Sequence, residues 1–278
     1  MKNFVIHLKD HFPFLGEEGK DPYVTAYLPY NMVEMKRQDQ LRPSMIVIPG
    51  GGYHFCSERE AEVIGMHFLP EGYNVFVLQY SVETHHFPCQ LREVAAVLEL
   101  IHSHSAQWNC DPQKVAIVGF SAGGHLACHY SNAYACPEVR EVFPESKPVQ
   151  AAILSYPVIT ADPAFAHRGS IRYLTGRQEP TPEDLEKFSC EKLVTPQTPP
   201  TFLWHTADDT CVPVKNSLVY AQALAEKGVS FSLHIYPWGE HGFATADLQT
   251  NKPEELTPAT LLAAQWLPDV KAWLKTAL

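Results

Sequence analysis

The chain has no run of lysines and arginines, and its 31 acidic residues outnumber 21 basic ones for a formal charge of −10. Nucleic acids and anionic bilayers are bound through positive surface, so this balance argues against both as partners. No apolar run approaches the roughly 20 residues of a membrane-spanning helix. The stretch Met1 to Asp10 has an apolar run too short for the core of a secretion signal and offers no small-residue cleavage site. The seven cysteines are odd in number and scattered, without a Cys-x-x-Cys pair. That disfavours a disulfide framework or structural zinc site and favours a reducing, cytoplasmic setting. There is no internal repeat and no low-complexity tract. A homo-oligomer is compatible with this composition, and nothing in it specifies one.

What is present is ordinary globular material, 45% apolar and 19% charged, over 278 residues. That suffices for one large α/β domain or two small ones. Strand-like and helix-like segments alternate from about residue 45 onward, the pattern of βα units on a largely parallel sheet. Buried strands are expected at 45–48, 75–78, 115–118, 151–154, 201–204 and 231–235. Phe4 to Leu8 and Tyr23 to Leu28 read as an antiparallel edge. Ser57-Glu58-Arg59-Glu60 reads as a capping box opening a helix with Val63, Ile64 and Phe68 on one face. Leu91, Val94, Ala95, Leu98 and Ile101 mark a second packed face. Leu218, Ala221, Leu224 and Ala225 mark a third, closed by Gly228. A last helix is expected from Thr257-Pro258, kinked or split at Pro268. Residues 157–200, with seven prolines and a capped helix start at Thr181-Pro182, interrupt the rhythm between two core strands. An excursion of that length reads as a cap or lid inserted in a single domain spanning 1–278.

Gly119-Phe120-Ser121-Ala122-Gly123 follows the apolar run Val115 to Val118 and precedes a helix-like one. A serine hydroxyl becomes a useful nucleophile when it is held exposed, served by a base and faced by donors for the developing oxyanion. A Gly-x-Ser-x-Gly turn from strand to helix meets the first need. In a parallel sheet the partners should lie at the C-terminal strand ends. The strand at 201–204 runs into His205-Thr206-Ala207-Asp208-Asp209, and the strand at 231–235 into Gly239-Glu240-His241-Gly242. The expected triad is therefore Ser121, His241 and an aspartate. Asp209 is preferred to Asp208 because it stands three residues before the apolar Val212.

Pro49-Gly50-Gly51-Gly52-Tyr53 follows the strand 45–48 directly. Its glycines free the backbone to turn N–H groups toward an anion. A phosphate loop would need a following Gly-Lys-Ser/Thr, which is missing. Gly51 and Gly52, with the N–H of Ala122, are the expected oxyanion hole. Tyr53, Tyr80, Tyr156 and Trp238 lie near strand tips, where lining an acyl pocket and packing the core are equally open readings. His85-His86 and His102-x-His104 have no matching carboxylates or thiols, so structural or surface roles are favoured over metal.

Taken together, Gly50-Gly51-Gly52-Tyr53, Gly119 to Ala127, His205 to Asp209 with Val212-Pro213, and Gly239 to Gly242 resemble the α/β-hydrolase superfamily of carboxylesterases. The likeness covers roughly residues 20–278. It is nearest to bacterial acetyl- and xylan-esterase-like enzymes, cousins of the hormone-sensitive-lipase group. Pro49 and Phe120 stand where that last group carries His and Asp, and the insertion at 157–200 replaces its N-terminal helical cap. The resemblance implies an α/β-hydrolase fold, a mostly parallel central sheet with helices on both faces, and hydrolysis of an ester without metal or organic cofactor. The expected substrate is a small short-acyl ester, such as an acetylated sugar or aryl ester. A peptidase or amidase, a thioesterase or acyltransferase, and a non-catalytic binding protein are the alternatives.

Overall fold

The computed structural model describes residues 1–19 and 21–278. Its strands are β1 (Lys2–His7), β2 (Tyr23–Leu28), β3 (Arg42–Ile48), β4 (Asn74–Gln79), β5 (Cys110–Phe120), β6 (Ala151–Ser155), β7 (Thr201–Thr206) and β8 (Phe231–Tyr236). They form one sheet in the order β1-β2-β4-β3-β5-β6-β7-β8. The pairs β1–β2 and β2–β4 are antiparallel, and every later pair is parallel. The parallel strands carry continuous apolar runs because helices cover both faces.

Side chains alternate across each strand, which splits the core in two. Ile46, Ile48, Ile117 and Leu154 pack on one face against the helices Cys89–Ser103, Ser121–Ala133 and Lys215–Glu226. Met45, Val47, Val118 and Ile153 pack on the other against Glu62–Phe68 and Trp266–Ala277. From β3 the chain goes outward to β4 and then returns to β5 on the opposite side. The carboxyl ends of β3 and β5 therefore flank a crevice, where open α/β sheets place their ligands.

Three expectations about helices are corrected. Ser57 makes no side-chain cap; Glu58–Glu60 is a 3₁₀ turn, and the helix proper starts at Glu62. In Lys215–Glu226 the buried face is Asn216, Ser217, Tyr220, Ala221 and Leu224, while Leu218 is 46% exposed and Ala225 also faces outward. Polar partners turn that face inward, since Asn216 Oδ1 accepts from the N–H groups of Ile159 and Thr160. Near the end, 3₁₀ turns at Thr260–Gln265 give way to the α-helix Trp266–Ala277. Pro268 lies in its first turn, where no backbone hydrogen bond is lost.

Residues 157–200 carry the helices Arg168–Thr175 and Pro182–Lys187 and a 3₁₀ turn at Cys190–Lys192. The second helix starts as its sequence implies, with Thr181 accepting from Asp184 N–H and Pro182 at its first position. No helix among the described residues is long and apolar enough to cross a membrane.

Candidate active site

Ser121 ends the β5 turn with φ +52° and opens the helix Ser121–Ala133. A positive φ is unfavourable for a residue bearing a Cβ, so packing must hold it. Its flanking glycines provide that packing through their lack of side chains. A Cβ on Gly119 would lie 2.3 Å from Gly123 O, and one on Gly123 would lie 2.2 Å from Pro49 O. The elbow is thus pressed between its own helix and the end of β3.

Three strand ends converge here. Ser121 Oγ lies 2.7 Å from His241 Nε2, and His241 Nδ1 lies 2.6 Å from Asp209 Oδ2. With Asp209 ionised, Nδ1–H donates to the carboxylate and Nε2 is left to accept from the serine hydroxyl. Burial opposes charge on Asp209, yet hydrogen bonds from His205 and His241 hold its carboxyl well below the usual range. Its Oδ1 also accepts from Cys211 and Val212 N–H, both at 2.9 Å. The neighbouring Asp208 does something else: its Oδ1 accepts from Gly239 N–H at 2.8 Å, pinning the loop that carries His241. Gly239 (φ +151°) and Gly242 (φ +85°) give this loop its sharp path.

Gly51 (φ +116°) and Gly52 (φ +68°) continue from β3 and border the same cleft as Ser121 and His241. A Cβ on Gly51 would stand 2.1 Å from Phe55 O, whereas one on Gly52 would meet nothing closer than His167 and Ser170 at 3.9 Å. Ala122 occupies the first turn of the elbow helix, where N–H groups lack intrahelical partners and favour negative charge. The cleft has a volume of about 310 Å³ and is walled by His54, Phe55, His167 and Tyr173.

The four aromatic candidates separate. Tyr53, Tyr80 and Tyr156 are buried, and none borders the cleft. Their hydroxyls are engaged by His125 Nδ1 (2.8 Å), Pro49 O (2.9 Å) and Glu60 Oε1 (2.6 Å) respectively. The acyl-pocket reading is therefore corrected in favour of packing for these three. Trp238 is 53% exposed and lines an adjoining cavity of about 470 Å³ that shares Arg59, His241 and Gly242 with the cleft. The paired histidines serve elsewhere: His85 and His86 contact the carbonyls of Val82 and Tyr173, and His104 stacks on Trp108.

The BD-FAE family model matches residues 31–224, more than two thirds of the chain. The chain belongs to the BD-FAE family. This BD-FAE chain is 37% identical, over 84% of its length, to endo-1,4-beta-xylanase B of Butyrivibrio fibrisolvens. It is 32% identical, over 82%, to an acetylxylan esterase of Xylanibacter ruminicola. The alignments cover 38% and 45% of those proteins, so the chain spans less than half of either. Among solved structures, an acetyl ester-xyloside bifunctional hydrolase from Caldicellulosiruptor lactoaceticus superposes with a TM-score of 0.82 at 32% identity. That likeness covers 98% of this chain and 96% of the other. A carboxylesterase from Lactobacillus plantarum gives 0.83 at 28% identity, covering 99% and 98%. The BD-FAE chain has the α/β-hydrolase fold.

Three residues at the site escaped the sequence reading. His205 is fully buried; its Nε2–H is shared between Val212 O (2.9 Å) and Asp209 Oδ2 (3.2 Å), while Nδ1 contacts Ser217 Oγ. His167 comes from the 157–200 segment and borders the cleft. Its Nδ1 accepts from the Ser170 hydroxyl (2.8 Å) and N–H (3.3 Å), which leaves the proton on Nε2. Burial and then the nearby His241 lower its pKa below the ordinary histidine value, which favours the neutral ring. Glu60 is 4% exposed and accepts from Gly50 N–H at 2.9 Å. The His205–Asp209 spacing of four was a usable signal for the first; a lone histidine and a supposed capping glutamate gave none.

Proposed function

We propose that this protein is a serine carboxylesterase that hydrolyses small, short-acyl esters through Ser121, His241 and Asp209. Ser121 Oγ attacks the ester carbonyl carbon while its proton passes to His241 Nε2. Asp209 holds the imidazole in the required tautomer and stabilises its charged form. The N–H groups of Gly51, Gly52 and Ala122 receive the oxyanion, each such donor typically contributing about 3 kcal/mol in the transition state. Collapse expels the alcohol, which takes its proton from His241 and leaves an acyl-enzyme. Water then gives a proton to His241 as it attacks the acyl carbon, the acyl–Oγ bond breaks, and Ser121 Oγ takes that proton back as the acid leaves.

The observation carrying this reading is the unbroken chain Ser121 Oγ–His241 Nε2, His241 Nδ1–Asp209 Oδ2, at 2.7 and 2.6 Å. The cleft of about 310 Å³ supports a small acyl group. The acetyl-ester activities named for the Xylanibacter and Caldicellulosiruptor proteins favour acetylated sugars as substrates. We further read residues 1–278 as one domain with 157–200 as its cap, because that segment supplies His167 and Tyr173 to the cleft wall. Ser121→Ala should lower turnover of nitrophenyl acetate by about 10⁶-fold while the protein keeps its thermal unfolding transition. Hydrolysis surviving in a pure sample would remove Ser121 from the mechanism. A nitrophenyl ester series from acetate to octanoate should peak at the short end.

A further inference from the structure

Glu60 is a buried carboxylate whose two oxygens point to different loops. Oε2 accepts from Gly50 N–H at 2.9 Å, and Oε1 accepts from the Tyr156 hydroxyl at 2.6 Å. The same hydroxyl accepts from Ala244 N–H at 3.0 Å, three residues beyond His241. The Tyr156 ring meets the His241 imidazole edge-on, with centroids 5.0 Å apart and planes at 69°. Indole Nε1–H of Trp266 donates to Ala244 O at 2.9 Å, fixing the far side of that loop. Glu60 and the Tyr156 hydroxyl together thus join the glycine loop after β3, the start of the segment after β6, and the histidine loop after β8.

The chemistry of this node is specific. Burying a carboxylate is costly unless its oxygens are satisfied, and an apolar side chain would fill the space more cheaply. The amide and the phenol donate to different oxygens, both of which accept in a carboxylate, whereas a carboxamide would set an NH₂ donor against one of them. The space is equally specific: a Cβ on Gly50 would lie 2.6 Å from Glu60 Oε2 and 3.0 Å from Ser121 Cβ. Gly50 N–H is therefore engaged by Glu60, and the oxyanion of the proposed mechanism falls to the amides of Gly51 and Gly52.

We propose that Glu60 is a positioning residue for the hydrolytic reaction, clasping the glycine loop and the histidine loop in one fixed relation so that oxyanion donors and base meet the same carbonyl. It touches no reacting atom and acts through Gly50 and Tyr156. The proposal rests on the serine-esterase reading above. Because the oxyanion exists only in the transition state, loosening this clasp lowers kcat and leaves ground-state binding largely alone.

The test uses the full chain with Glu60→Gln, Tyr156→Phe and the double variant, assayed on nitrophenyl acetate. A trifluoromethyl ketone serves as the second probe. Ser121 adds to its carbonyl and passes its proton to His241, creating the oxyanion. Glu60→Gln should lower kcat by about 10- to 100-fold with KM within about threefold, and weaken the ketone by the same factor as kcat/KM. Tyr156→Phe should cost less, and the double variant should fall within about twofold of Glu60→Gln, since both cut one connection. Unchanged kcat, a loss carried by KM, or losses that multiply in the double variant would overturn the proposal. If Glu60→Gln yields no folded protein, Tyr156→Phe decides alone: reduced kcat at constant KM supports the clasp, and wild-type kcat sinks it. Ser121→Ala separates the two levels. Activity surviving there defeats the esterase mechanism itself, whereas Ser121-dependent activity with indifferent Glu60 variants defeats only the clasp.

Discussion

Asp208 and Asp209 are neighbours in sequence, yet one holds an imidazole and the other a backbone amide. Their amide substitutions should therefore diverge. In Asp209→Asn the new NH₂ group favours the wrong tautomer of His241, and kcat should fall about 10⁴-fold. In Asp208→Asn the side-chain oxygen still accepts from Gly239 N–H, so the loss should stay within about tenfold. Steady-state kinetics on nitrophenyl acetate distinguish them, and a reversed order would mean that Asp208 takes the acid's place in solution. Gly123→Ala is a different kind of change. Its Cβ would meet two carbonyl oxygens, Pro49 O at 2.2 Å and Ile48 O at 2.4 Å, with no flexible side chain to give way. Overpacking of that kind costs about 1–3 kcal/mol or more, which urea unfolding would register as a lowered midpoint.

At the scale of elements, the strands were the most legible feature, because runs such as Ala151–Leu154 are buried on both faces and carry no competing polar pattern. The elbow, the glycine loop and the histidine loop were legible too, since each follows a strand directly. Elements whose inward face is polar were harder. Periodicity counts apolar positions, so it set Leu218 in the core and missed Asn216 and Ser217, which are turned inward by Ile159 and His205. The same limit hid Glu60, whose sequence neighbourhood looks like a helix cap. No local pattern could announce that it binds Gly50 and Tyr156, ten and ninety-six positions away. His167 was invisible because its partners in the cleft are contributed by other strands. If its Nε2–H meets the alcohol half of the substrate, His167→Ala should raise KM for an acetylated sugar about tenfold, the worth of one hydrogen bond, with the kcat for nitrophenyl acetate unchanged. An unchanged KM for the acetylated sugar in this variant would place the alcohol elsewhere.

For the molecule as a whole, two buried histidines on the elbow helix contribute to acid sensitivity. Burial lowers His125 to about 4 and His129 to about 3, so both are neutral in the folded state at pH 7. The unfolded chain takes up protons near pH 6.5, where the folded chain does not. Their contribution is complete above that value and declines as pH falls toward 4, by roughly 1.4 kcal/mol per pH unit for each histidine. Burial also raises Glu93 to about 8, which works in the opposite direction between pH 4.5 and 7, so the histidine share is read by comparing urea midpoints at pH 7, 5.5 and 4.5 with those of a histidine variant. His129→Phe, placed among Phe87 and Phe188, should lessen the loss on acidification by the share of one histidine, roughly 1.4 kcal/mol per pH unit. An unaltered slope would assign the acid loss to other groups.

His125 also carries a mechanical consequence. Its Nε2–H is tied to Phe188 O and its Nδ1 to the Tyr53 hydroxyl. The later part of the 157–200 excursion is thereby riveted to the same helix that carries Ser121, and only the earlier arm, with His167 and Tyr173, overhangs the opening. Under the proposed function, substrate preference can accordingly drift through replacements in that arm while Ser121, His241 and Asp209 beneath it stay untouched, which makes it the place to begin when re-engineering what this protein accepts.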